Sequence, residues 1–187
     1  MGVTIIANNC CGSFLMRDMG LEYNSPTTLT HIMPEEYLKF CLNLKDYLKC
    51  DLKEYKEVSD YHKEILSRFY GKTMNDFPRG LLGDICVMFQ HEPDFESAKM
   101  RWKRHIARMD WDNLNFLFCV KFELHKNLAI EFAKSDLPNK VIFTREFDID
   151  YPHYRYSVPE GQMFLATDRP HHFLFEGDWD RKLLKGV

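Results

Sequence analysis

Asn8-Asn9-Cys10-Cys11-Gly12 is the segment of this chain best equipped for chemistry. It follows the apolar run Thr4-Ile5-Ile6-Ala7, and helix-compatible residues come after it. A thiol between the end of a strand and the start of a helix lies near free backbone N–H groups and the positive end of the helix dipole. Both lower a thiol pKa and favour the nucleophilic thiolate. The same N–H groups, with the amides of Asn8 and Asn9, can hold an oxyanion during acyl transfer. Cys10 is therefore the candidate nucleophile, and Asn8, Asn9 and Gly12 are candidate substrate-binding residues. The competing interpretation is a buried cysteine packing like a small apolar residue, with asparagines that close a turn.

A nucleophile of this kind needs a base. His91 ends the strand that begins after Asp84, so it emerges at the same rim as Cys10 if that strand is parallel to the first. Asp84 then lies roughly 23 Å away at ~3.3 Å per residue, too far to orient His91, and bonds the Gly80–Gly83 turn instead. Asp168 and His171 form the second-choice pair, placed after the last strand and before the terminal helix. The cations between Lys99 and Arg108 could attract a phosphate-bearing donor such as coenzyme A or a nucleotide sugar, although a solvated helical face explains them better. No glycine-rich dinucleotide or Walker-type loop occurs. No histidine has ligand spacing and no C-x-x-C pair exists, so no metal is expected.

The elements that must position these groups alternate along the chain. Residues 3–9 read as a strand and 12–19 as a short helix, then 27–32 as a β-branched strand after the Asn24-Ser25-Pro26 turn. Pro34-Glu35-Glu36 opens a helix with proline at its first position and acids in its first turn, and its apolar face runs to Leu48. Residues 51–77 lose the pattern and read as an insertion or lid. A glycine-punctuated turn at 80–83 leads to a strand over 85–90. Asp94 caps the next helix, whose apolar positions run from Phe95 to Met109. Strands over 114–120, 140–144 and 163–166, a helix over 124–134 and a helical tail over 173–184 follow. Alternating strands and helices, with several strands apolar throughout, predict a single α/β domain over residues 1–187. Its expected architecture is three-layer α/β/α with a mainly parallel sheet.

Composition narrows the possible roles. The 187 residues are 45% hydrophobic and 28% charged, ordinary for a soluble globular protein. A net charge of −3 argues against nucleic-acid binding. No apolar run approaches the ~20 residues of a membrane span. With no basic leader, a cytoplasmic location is expected, with the six cysteines reduced. Fifteen Phe, nine Tyr and three Trp supply a ring-rich core.

Several segments together resemble a bacterial family catalogued as a domain of unknown function, number nineteen-nineteen. Its members are often labelled exopolysaccharide biosynthesis proteins. The matching pieces are Ile5 to Gly12, Gly20-Leu21-Glu22-Tyr23-Asn24-Ser25-Pro26, Pro34-Glu35-Glu36-Tyr37, Gly80 to Asp84 with His91 behind it, and Ala98-Lys99-Met100-Arg101-Trp102 to Asp110-Trp111-Asp112-Asn113. Cys11 stands where an aromatic is expected. The strand–Asn–Cys layout also resembles in outline the Gly-Asp-Ser-Leu hydrolases and capsule acyltransferases. In those hydrolases an Asp-x-x-His pair near the end completes the triad, which is the place Asp168 and His171 would take.

These readings lead to one expectation. The chain is a protein of exopolysaccharide or capsule biosynthesis that transfers an acyl group, with acetyl-CoA as donor, to a hydroxyl of a sugar or polysaccharide precursor. Cys10 and His91 would carry the reaction. The alternatives are glycosyl transfer from a nucleotide sugar, or a non-enzymatic assembly or regulatory role in a polysaccharide locus.

Overall fold

The computed structural model describes residues 2–57, 59–64 and 77–155. Within them eight strands divide into two sheets rather than one. The first is wholly parallel, in the order β1 (Thr4–Ala7), β6 (Leu114–Val120), β7 (Lys140–Thr144), β8 (Tyr154–Arg155). The second is antiparallel, in the order β2 (His31–Ile32), β5 (Ile85–Met88), β4 (Arg79–Leu82), β3 (Leu52–Glu54). The helices are α1 (Cys11–Asp18), α2 (Pro34–Leu42), α3 (Leu44–Tyr47), α4 (Phe95–Ile106) and α5 (Lys126–Lys134), with residues 60–64 also helical. The fold is mixed α/β.

Strand apolarity explains the parallel sheet. Ile5, Ala7, Leu117, Cys119, Val141 and Phe143 pack with Leu15 and Met16 of α1. The alternate residues Ile6, Phe116, Phe118, Val120 and Ile142 point the other way, into a core shared with Tyr37 of α2 and Phe132 of α5. Burial on both faces is what makes these strands read as continuous apolar runs. The antiparallel sheet adds Ile32, Leu52, Leu82, Ile85 and Val87 to the same core, while Cys86, Met88 and the neighbouring Met33 form a separate cluster. The sheets meet where the Ile32 N–H donates to the Asn8 carbonyl at 2.9 Å.

Three expectations change here. The strand over 27–32 shrinks to His31–Ile32, because hydroxyls close the preceding loop. Thr28 Oγ1 donates to the Ser25 carbonyl at 2.7 Å and Thr30 Oγ1 to the Thr27 carbonyl at 2.9 Å, an alternative to ladder pairing that threonine and serine offer the backbone. The helix opening at Pro34 ends at Leu42, and Asn43, at φ −125°, separates it from α3. The segment 80–83 is mostly strand. Gly80 lies within β4 because a Cβ there would come within 2.6 Å of Leu52 Cδ1, and only Gly83, at φ +64°, makes the hairpin turn. Asp84 does not close that turn but meets Lys39 and Tyr47. Strands β3, inside the stretch expected to be an insertion or lid, and β8 are additions to the expected set, whereas α4 forms where expected, its cap Asp94 Oδ1 accepting from the Ser97 N–H at 2.8 Å. The expected strand at 163–166 and helix at 173–184 lie outside the described residues. No helix among the described residues is long and apolar enough to cross a membrane.

Candidate functional site

The carboxyl end of β1 is fixed by Asn8. Its Nδ2 donates to the Cys119 carbonyl at 3.0 Å, and the Cys119 N–H donates to its Oδ1 at 2.9 Å. The amide thus stands in for a peptide group and continues the β1–β6 ladder by side chain. Asn8 is 2% exposed, so its expected role as a substrate binder gives way to one of positioning. Asn9 also serves locally, with Oδ1 accepting from the Cys11 N–H at 3.0 Å at the start of α1. Gly12 is required for packing. A Cβ there would lie 2.5 Å from Ala7 Cβ, so glycine is what lets α1 rest against β1.

Cys10 sits at the α1 N-terminus as expected, but its thiol is not activated. Its Sγ–H lies 3.4 Å from Gln90 Oε1 and 3.8 Å from the Thr30 carbonyl, both acceptors. Burial pushes the thiol up to about 12, against the opposing pull of the nearby Arg101 guanidinium. The shift runs opposite to the expected lowering, because burial outweighs the cation and the backbone hydrogen bond together. Cys11 is held well above the usual range too, first by its hydrogen bond with Cys119 and then by burial.

β5, antiparallel to both neighbours, ends at Met88 rather than at His91, and in the turn that follows it is Gln90 that contacts Cys10. His91 is exposed, its ring edge-on to Phe14 with centroids 6.4 Å apart. Partial burial, reinforced by Arg101 and opposed by Glu92, lowers its pKa and keeps the imidazole neutral at pH 7. Asp168 and His171 lie outside the described residues.

The residue that spacing missed is Arg101. It lies on the core-facing register of α4 with Ala98, Trp102 and His105, and is only 8% exposed. Its Nη1 is 2.7 Å from Glu92 Oε1, while its Nη2 is buried without a hydrogen-bond partner. A buried cation with an unused N–H is costly unless something binds it. Its charge is felt by both Cys10 and His91, so Cys10, Gln90, His91, Glu92 and Arg101 form one cluster. The available signal was its place among buried positions of an otherwise basic helix. Among the described residues, no group of three or more histidine, cysteine or acidic side chains is arranged to hold a metal.

A family described as "Domain of unknown function (DUF1919)" has a model that matches residues 1–159. The chain belongs to this family. A relative is an "Uncharacterized protein" of Haemophilus influenzae strain Rd, 26% identical over 154 residues. The alignment covers 82% of this chain and 66% of the relative, just under two thirds of that protein's length. Every member of the cluster, from Cys10 to Arg101, lies inside the DUF1919 match.

Proposed function

We propose that this protein is an acyltransferase of surface-polysaccharide biosynthesis, binding a phosphate-bearing acyl donor such as acetyl-CoA beside Cys10 and acylating a sugar hydroxyl. The single observation that carries this reading is Arg101, whose Nη2 is buried and unpartnered next to Cys10. A guanidinium fork with one arm on Glu92 and one arm open suits a phosphate oxygen. In this reading the parallel sheet is the middle of three layers, and the donor lies at its carboxyl rim, where open α/β sheets take their ligands.

The chemistry differs from the covalent route. A thiol held neutral donates its proton rather than attacking, so Cys10 serves at the oxyanion site. His91, neutral at pH 7, takes the proton of the acceptor hydroxyl. The acceptor oxygen then bonds to the acyl carbon, the carbon–sulfur bond breaks, and the leaving sulfur takes the proton from His91.

Thermal unfolding with acetyl-CoA tests this, comparing native protein with Arg101→Lys, which keeps the charge facing Glu92 and loses the fork. Ligand at a hundredfold excess over Kd stabilises the native protein by about 2.7 kcal/mol, and the variant loses most of that. Stabilisation by a uridine diphosphate sugar alone would move the assignment to glycosyl transfer. Stabilisation by neither would remove the donor site.

A further inference from the structure

On the far side of β5 from the hydrophobic core, a second group of side chains is arranged as an activated nucleophile. Glu36, on α2, is buried, and the Cys86 N–H donates to its Oε2 at 3.3 Å. Its Oε1 lies 2.6 Å from His62 Nε2. The other ring nitrogen, Nδ1, lies 3.2 Å from Ser59 Oγ and 3.2 Å from the Tyr55 hydroxyl. A carboxylate can only accept, so Nε2 carries a proton, and the tautomer that can act as a base presents its Nδ1 lone pair to the hydroxyls.

Exposure grades along this chain of contacts as a catalytic relay requires. Glu36 and His62 are buried, and Ser59 is exposed. Ser59 also caps the helical turn at 60–64, but the two tasks use different parts of the hydroxyl. Its lone pair accepts from the His62 N–H at 3.3 Å, leaving its O–H to donate to Nδ1. Tyr55 stands at the same distance from Nδ1 and keeps its O–H as Ser59 does, but it is only half-exposed and its ring packs edge-on to His62, so the open hydroxyl is that of Ser59. Tyr61, 53% exposed with its ring centroid 5.2 Å from that of His62, gives an aromatic face beside the hydroxyl for a sugar or acyl chain.

We infer that Ser59, His62 and Glu36 form a nucleophile, base and positioning carboxylate that accept an acyl group from an ester or thioester. Ser59 Oγ bonds to the acyl carbon as its proton passes to His62 Nδ1, and Glu36 stabilises the resulting imidazolium. The bond to the leaving oxygen or sulfur breaks, that atom takes the proton from Nδ1, and an acyl ester remains on Ser59. A hydroxyl acceptor reverses the sequence. Only the identity of donor and acceptor rests on the proposed function. The site itself stands apart from Cys10: Glu36 meets the backbone of Cys86 within β5, whereas Cys10 meets Gln90, two residues past the end of that strand.

A fluorophosphonate probe tests the relay on the full chain, read by intact mass and peptide mapping. The expected result is one adduct, on Ser59. Ser59→Ala and Ser59→Asn both lose it, and the asparagine keeps the helix cap, so misfolding cannot account for the loss. Glu36→Gln is the informative partner. Its oxygen still accepts from the Cys86 N–H, so its NH2 faces Nε2 and moves the ring proton to Nδ1. Labelling then slows at least about 100-fold while the fold is kept, the wrong-tautomer effect. No adduct on native protein, an adduct on Tyr55, or Glu36→Gln labelled at the native rate would each overturn the inference. Failure of acetyl-CoA to stabilise the protein, with Ser59 still labelled, would sink the donor site and leave this one standing.

Discussion

Asn8 and Cys119 exchange two hydrogen bonds, side-chain amide to backbone peptide groups, at 3.0 and 2.9 Å. They bring together residues 111 positions apart and end β1 at a fixed point, two residues before Cys10. Asn8 holds the antiparallel sheet as well, through its own carbonyl and the Ile32 N–H. The sequence places its amide at a reactive rim. The structure uses that amide to build the rim.

Asn8→Ala should therefore be a stability variant before it is a functional one. It leaves the buried Cys119 N–H and carbonyl without these partners, which costs about 1–3 kcal/mol for a group left unsatisfied. Urea unfolding measures this directly. A change under about 0.5 kcal/mol, with an unaltered slope, would show that the Cys119 peptide groups find other partners.

Gly12→Ala tests the contact between α1 and β1. The added Cβ would lie 2.5 Å from Ala7 Cβ, so backbone must move, at about 1–3 kcal/mol for overpacking. Ala7→Gly removes the opposing carbon. The double variant should recover much of the loss in Tm, beyond the sum of the two single effects. Additive losses would rule out this contact as the reason for glycine.

The contrast between Gly12 and Arg101 shows what was legible in the sequence. Strands with both faces buried, such as Leu114–Val120 and Lys140–Thr144, announce themselves as apolar runs, and Pro34 and Asp94 mark helix starts by local chemistry. Strand direction has no such local signature. Ile85–Met88 is as apolar as a parallel strand and pairs antiparallel on both sides, so one expected sheet became two. Gly12 and Asn8 stand out in the sequence, but glycine and asparagine serve packing and peptide mimicry as readily as ligands. Ser59 and His62 share one helical turn, three residues apart, and only tertiary structure brings Glu36 to them.

Cys10 should behave as a neutral thiol through the physiological range. Native protein should therefore alkylate with iodoacetamide at Cys10 far more slowly than at the exposed Cys50 from pH 7 to 9, and the difference should vanish in urea. The linkage has a definite sign. The native pKa of about 12 lies above the ordinary 9.0, so above pH 9 the unfolded chain loses this proton first. Stability conferred by the neutral thiol is thus lost as pH rises from 9 towards 12. Cys10→Ala should flatten that part of the alkaline decline. Rapid native labelling of Cys10 near pH 7 would contradict the raised thiol pKa.

Two histidines set a second window, on the acid side. Burial lowers His31 to about 3 and His105 to about 4, both from 6.5. The unfolded chain takes up these protons below pH 6.5 while the native chain does not, so stability falls as pH drops from 6.5 towards 4. His105 donates from Nδ1 to the Ser25 carbonyl at 2.9 Å, so His105→Gln retains a donor and removes the titration. Its unfolding free energy should depend less steeply on pH between 6.5 and 4 than that of the native chain. Parallel curves would mean that His105 is protonated in the folded protein.

Glu92→Gln separates charge from shape at Arg101. The glutamine oxygen still accepts from Nη1, so the geometry is kept, but the buried guanidinium loses its counter-charge. Stability should fall by about 1–3 kcal/mol, less than the 3–5 kcal/mol of a pair broken outright, because the hydrogen bond survives. Affinity for an anion should move the other way. At ~8 Å and an effective dielectric constant of ~20, a unit charge contributes about 2 kcal/mol, so removing the carboxylate should tighten coenzyme A binding by up to roughly 30-fold. Isothermal titration with coenzyme A gives the answer. Tighter binding in a less stable protein identifies Arg101 as an anion receptor held in check by Glu92. Weaker binding would mean that the carboxylate contacts the ligand itself, and the phosphate site beside Cys10 would have to be abandoned.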